Sequence, residues 1–206
     1  CRAHAADGAV CAACAAALPL AEPACPQCAA PSSTGGVCGR CLAHPPRFDA
    51  VSAGFAYAWP ADALVQAFKY GGNHAAGRFL ARALAARARE RPDLVVPIPL
   101  APGRLAERGF NQAVELARTV CHVHGYRLAA HACRRVRETP SLTHMAHAER
   151  AQSIRDAFVC DANVAGRTVA VVDDVVTTGA TLNELARMLK RAGAARVIGW
   201  VAARTP

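Results

Sequence analysis

Long apolar runs, aromatic side chains and lysine are scarce in this sequence of 206 residues. No stretch approaches the ~20 apolar residues of a membrane-spanning helix, and no signal-peptide pattern opens the chain, so membrane insertion is not expected and a cytoplasmic location is. Aromatics make up only 5% of the chain. Its first 45 residues lack the aromatic platforms on which single-strand binders stack bases. Low-complexity tracts are absent, as is usual for a globular chain. Basic charge comes almost wholly from arginine, and the formal net charge is +9 with pI about 9.4. That balance suits polyanions such as nucleic acid, phosphorylated metabolites or pyrophosphate, and equally suits a plain basic surface. Otherwise the composition, 53% hydrophobic and 19% charged, is that of a globular protein with room for one domain and a small satellite.

Cysteine is abundant, and seven of the ten lie in the first 41 residues. The pairs Cys11/Cys14, Cys25/Cys28 and Cys38/Cys41 each have C-x2-C spacing, which lets two thiolates converge on one ion while turn amides stabilise the sulfur charge. Cys25, Cys28, Cys38 and Cys41 form a complete tetrahedral set for a structural Zn²⁺. Cys11 and Cys14 find partners in Cys1 and His4 for a second site of three thiolates and one imidazole. Alternatively, because the chain opens without methionine, Cys1 closes a pair begun upstream. Disulfides are disfavoured in a reducing compartment, and the segment has too few large apolar residues to fold without metal. Cys121, Cys133 and Cys160 stand singly in apolar surroundings, as core thiols do.

The organisation expected is a zinc module over residues 1–45, ended by Pro45-Pro46, and an α/β domain over 46–206 with a mostly parallel sheet flanked by helices. Strands are expected at 50–57, 94–98, 127–133, 157–160, 168–172 and 196–202. Helices are expected at 61–70, 75–91, 111–124 and 181–192, the last stopped by Gly193. Residues 134–156 form a long polar stretch.

The chemistry concentrates in Val169–Leu182, VAVVDDVVTTGATL. An apolar strand ending at Val172 delivers Asp173 and Asp174, and Thr177, Thr178, Gly179, Ala180 and Thr181 lead into a helix. Free N–H groups at a helix start, with three hydroxyls and a glycine, cradle a phosphate. The acids suit ribose hydroxyls, directly or through a hard cation such as Mg²⁺. No Walker lysine accompanies the turn, so a P-loop NTPase is disfavoured.

This segment resembles the PRPP-binding motif of type I phosphoribosyltransferases. Val96-Pro97-Ile98-Pro99-Leu100 with Arg104, Arg108-Gly109-Phe110-Asn111-Gln112, Lys69-Tyr70, the cysteine pairs and Ala202-Ala203-Arg204-Thr205 resemble the ComF family over nearly the whole chain. The resemblance implies a type I phosphoribosyltransferase-like fold and a role in natural competence and DNA uptake. Asp173 and Asp174 would grip ribose, the threonine turn would hold the 5′-phosphate, and a loop over 100–109 with Leu100, Arg104 and Arg108 would face pyrophosphate. The stretch 134–156 would be a lid. There Leu142 and Ser153 stand where the family leads one to expect a glutamine and an asparagine, while His144 and His147 read as surface histidines. Two functions follow: Mg²⁺-dependent ribosyl transfer from PRPP to an unknown acceptor, or a non-enzymatic accessory factor that binds single-stranded DNA or a helicase and senses PRPP.

Overall fold

The computed structural model describes residues 10–137 and 152–206. Cys1 and His4 fall outside the described residues, as do Leu142, His144, His147 and most of the expected lid. Two five-residue helices, α1 (Ala12–Ala16) and α2 (Gly39–Ala43), lie in the cysteine-rich segment. They are followed by β1 (Ala50–Ala56), α3 (Ala61–Gly71), α4 (His74–Arg87), β2 (Leu94–Pro97), α5 (Pro102–Arg108) and α6 (Gln112–His124). Then come β3 (Cys133–Arg135), β4 (Phe158–Cys160), β5 (Thr168–Val176), α7 (Ala180–Arg191) and β6 (Arg196–Arg204).

Four strands form one parallel sheet in the order β1-β6-β5-β2, and β3 pairs with β4 in a separate antiparallel hairpin. The runs LVVP and VAVV are apolar on both sides because helices or other elements cover both faces of the sheet. Alternate residues sort to the two faces. Ala170, Val172, Ile198 and Trp200 join Phe68, Leu84 and Leu116 under α3, α4 and α6. Val169, Val171, Val197 and Val201 join Leu182, Leu185 and Leu189 of α7 on the other face, together with Phe158 of the hairpin and Cys25, Cys28, Cys41 and Phe48. The zinc module is thus packed into the core of the second face.

Local signals account for the helix ends. Asn73 and Asn111 cap α4 and α6 by accepting from the N–H groups of Ala76 (3.0 Å) and Ala113 (2.9 Å). Between α3 and α4, a Cβ at Gly77 would stand 2.5 Å from Phe68 Cε2, so only glycine permits this approach.

Several expectations are revised. Residues 127–133 do not form a strand: Leu128 makes a single parallel bridge to Val95, and the regular pairing begins at Cys133 in the hairpin. The segment 100–109 is largely helical, because Pro102 sits in the first turn of α5 and Gly109 closes it in the left-handed region (φ 75°). Cys133 and Cys160 are not isolated but face one another across the hairpin. Finally, β5 runs on to Val176, past its expected end at Val172. No helix of the described residues is long and apolar enough to cross a membrane.

Candidate functional site

The position of the acid pair follows from strand lengths. β2 leaves β5 at the pair Pro97↔Val172, after which Ile98 N–H still donates to the Val172 carbonyl (2.9 Å). β5 continues to pair with β6 as far as Val176↔Arg204. Asp173 and Asp174 therefore sit on a strand held on one side and open on the other, at the carboxyl end of the sheet where ligands bind in such folds. The opening is a cavity of about 360 Å³. Asp173, Asp174, Thr177 and Thr181 line it from β5 and the following turn, and Leu100, Arg104 and Arg108 line it from the end of β2 and α5.

Other expected residues stand elsewhere. The Val172 side chain is fully buried in the core shared with α3, α4 and α6, and the residue does not line the cavity. Thr178, Gly179 and Ala180 line a second groove of about 820 Å³ on the other side of the turn, with Arg40, His44, Phe48 and Arg155. The turn therefore separates two concavities. Gly179 at φ 80° makes the bend into α7 without a side-chain cap, Thr178 Oγ1 accepts from Ala180 N–H (3.3 Å), and Asn183 N–H returns to the Gly179 carbonyl (2.8 Å). The first N–H groups of a helix have no partner within it, and here they open at a hydroxyl-rich turn.

Sequence reasoning did not assign site roles to Lys69, Tyr70, Asn111, Gln112 and Arg135, all of which line the cavity. Lys69 is one of only two lysines in the chain. Its ammonium lies 2.8 Å from Asp174 Oδ2. Burial works against that charge, yet Asp174 and then Asp173 hold the lysine above its ordinary pKa. Asp173 behaves in the opposite way for a carboxyl: burial, then the neighbouring Asp174, pushes it up to about 8 against the pull of Lys69. Gln112, 2% exposed, donates from Nε2 to the Lys69 carbonyl (3.4 Å) and accepts from Arg108 Nη1 (3.3 Å). Asn111 Nδ2 donates to the Ile98 carbonyl (3.0 Å), anchoring the start of α6 beside the end of β2. The Arg108 guanidinium lies 5.3 Å from the Tyr70 ring centroid, while its buried Nε meets no acceptor among the described residues. A buried, unmatched guanidinium N–H in a cavity is what an anionic ligand would satisfy.

The metal centre is explicit in geometry. The sulfurs of Cys25, Cys28, Cys38 and Cys41 all lie within 4.8 Å of one another, and those of Cys28 and Cys38 are 3.7 Å apart. A tetrahedron with Zn–S of about 2.3 Å has edges of about 3.8 Å, so four thiolates here fit zinc. Cys38 N–H points at the Cys25 sulfur (3.3 Å). Burial raises the Cys25 thiol, but this N–H and those of Cys28 and Gln27 outweigh it and bring the value down to about 7. Cys41 moves the other way, raised by burial and by the neighbouring sulfurs, as expected when four thiolates need a cation between them. Cys11 and Cys14 repeat the geometry of Cys38 and Cys41. In each pair the first cysteine is the N-cap of a five-residue helix, with φ, ψ of −73°, 160° at Cys11 and −72°, 155° at Cys38.

A further cleft of about 800 Å³ borders β1 and the zinc module, and neither Asp173 nor Asp174 lines it. Two ion pairs line it, Arg87 with Glu22 and Arg196 with Glu90 (2.8 Å).

Comparison with known proteins agrees with this architecture. Residues 73–206 match the phosphoribosyl transferase domain family, and residues 1–42 match the double zinc ribbon domain. The chain is 35% identical over 205 residues to the DNA utilization protein YhgH of Salmonella typhimurium, covering 95% of this chain and 90% of that one. It is 32% identical over 178 residues to competence protein F of Haemophilus influenzae, covering 81% and 78%. Among solved structures it is similar to glutamine phosphoribosylpyrophosphate amidotransferase from B. subtilis, with 21% identity, a TM-score of 0.44 and coverage of 61% of this chain and 26% of that one. The chain therefore belongs to the phosphoribosyl transferase domain family, as a relative of YhgH and competence protein F, with a double zinc ribbon ahead of the domain.

Proposed function

We propose that the cavity binds a ribose 5-phosphate bearing pyrophosphate, PRPP, together with Mg²⁺, and that the protein acts as a phosphoribosyltransferase-type protein in DNA uptake or utilisation. The observation that carries this reading is the meeting of an acid pair, a threonine turn and the unmatched Arg108 Nε in one cavity. The acids would take the ribose hydroxyls and the Thr177–Thr181 turn the 5′-phosphate. Arg104 and Arg108 would take the pyrophosphate, with forked guanidinium donors that match its oxygens.

The donor set also fits Mg²⁺. Among the described residues the only cluster of three or more metal-ligating side chains is the cysteine set, so Asp173 and Asp174 offer at most two protein ligands. Mg²⁺ commonly takes one or two carboxylates and completes its shell with substrate oxygens and water. When bound, it would neutralise charge on the departing pyrophosphate. The protein's own contribution would be positioning and fixed positive charge opposite the leaving group. Measuring pyrophosphate release from PRPP across a panel of nucleobases and amines tests for transfer. Release dependent on one acceptor is expected, and its absence with every acceptor would leave PRPP as a sensed ligand.

The names of the relatives favour a second reading, an accessory factor for incoming single-stranded DNA. Its affinity for a single-stranded oligonucleotide should then fall steeply with salt, since arginine–phosphate contacts release counterions.

A further inference from the structure

Lys69 stands where a ribose-binding acid should be free. Its ammonium is 2.8 Å from Asp174 Oδ2, with both side chains largely buried, at 22% and 10% exposed. Its place is set on both sides. The preceding Phe68 is buried against Gly77 and lies 5.5 Å from the Phe110 ring, and the Lys69 carbonyl accepts from Gln112. Gln112 also holds Arg108, so one buried amide from α6 links the α3 lysine with the α5 arginine. The cavity wall carries Lys69, Arg104, Arg108 and Arg135 against two acids, a formal excess of positive charge. Arg108 still has a buried N–H without an acceptor among the described residues.

A ligand with one phosphate fills the threonine turn but offers Lys69 nothing in exchange for Asp174. Breaking a largely buried ion pair without replacing the partner is costly. A ligand with a second anionic group on the C1 side supplies that partner and gives Arg108 Nε its acceptor. Asp174 is then released to the ribose hydroxyls. We propose that Lys69 is a specificity-determining residue, a charge latch on Asp174 that opens for a ribose 5-phosphate carrying a diphosphate at C1 and stays shut for ribose 5-phosphate alone. This rests on the ribose-phosphate reading of the cavity.

Calorimetric titration of the full chain with PRPP and with ribose 5-phosphate, both in Mg²⁺, tests it in wild type, Lys69→Met and Lys69→Arg. Lys69→Met keeps the length and removes the charge. It should weaken PRPP by about tenfold or more, the scale of a charge-assisted contact, while ribose 5-phosphate binds unchanged or more tightly. Lys69→Arg should keep the preference for PRPP. Thermal unfolding reports whether each variant is folded, and Lys69→Gln serves as the neutral variant if Lys69→Met is not. Equal weakening of both ligands by the neutral variant, or an unchanged ratio, overturns the latch while leaving the cavity assignment intact. Failure of the wild type to bind either ligand overturns the ribose-phosphate reading, and the latch with it.

Discussion

Arg204 donates from Nε to the carbonyl of Cys28, 3.0 Å away, so the last residue of β6 is bonded directly to a zinc-ligating cysteine. Its Nη1 reaches the Val176 carbonyl (3.3 Å) and Thr205 Oγ1 (2.9 Å). Val176 is the last residue of β5 and immediately precedes Thr177. One guanidinium, itself only 3% exposed, thus ties the cysteine knuckle to the strand end from which the threonine turn departs. Burial pulls its pKa below the usual arginine value, though it stays charged and four acceptors meet it, the Thr205 carbonyl among them.

Replacing Arg204 with Met should cost about 2–3 kcal/mol of stability, because it removes charge-assisted bonds and leaves buried carbonyls unmatched. Chemical denaturation measures that loss directly. The same variant should also weaken ligand binding, since the start of the threonine turn loses its tether to the zinc module.

Zinc removal should act on the whole protein rather than on a detachable module. Cys25, Cys28 and Cys41 are buried in the same cluster as Leu182, Leu185 and Val201. A chelator should therefore lower the midpoint of a single thermal transition that includes the α/β domain, where an independent module would leave that transition in place. Metal analysis should find about two zinc ions per chain if Cys1 and His4 complete the site begun by Cys11 and Cys14, and about one if they do not.

The raised pKa of Asp173 predicts a pH dependence with a definite sign. Its folded value of about 8 lies above the ordinary carboxyl value of 3.8, so the folded protein retains a proton that the unfolded chain gives up. The stability associated with that proton is fully present below about pH 4 and is lost as pH rises through about 8. Asp173→Asn should therefore raise the unfolding midpoint relative to wild type at pH 8, with the gap closing toward pH 4. A gap that is constant with pH would show that Asp173 is already ionised in the folded state at neutral pH.

Gly77→Ala should destabilise by about 1–3 kcal/mol, because its methyl would overlap the Phe68 ring and the two helices would have to part. The displaced ring precedes Lys69, so the variant should also disturb the lysine's ion pair with Asp174, seen as an altered preference between PRPP and ribose 5-phosphate.

Local patterns made much of this architecture readable. The fully apolar runs at 94–98 and 169–172 identify strands covered on both faces, and the α7 stripe of Leu182, Leu185 and Leu189 identifies its buried side. The cysteine set was legible because C-x2-C spacing is itself a geometry. The acid pair and the turn were legible as residues, but not their setting. Whether β5 ends at Val172 depends on a non-local fact, that β6 continues beside it after β2 has left. The role of Lys69 was hidden for the same reason. It lies on a helix more than 100 residues before Asp174, and nothing in its local sequence points toward an acid. Helix α5 was missed because a proline- and glycine-containing start reads as a loop, whereas Pro102 occupies the first turn, where proline is tolerated.

Whether Asp173 and Asp174 hold a ribose phosphate is decided by titrating Mg²⁺-PRPP into wild type and the Asp173→Asn/Asp174→Asn double variant. Saturable binding to the wild type and none to a folded double variant is the predicted result. Equal affinity in the two proteins would contradict the assignment.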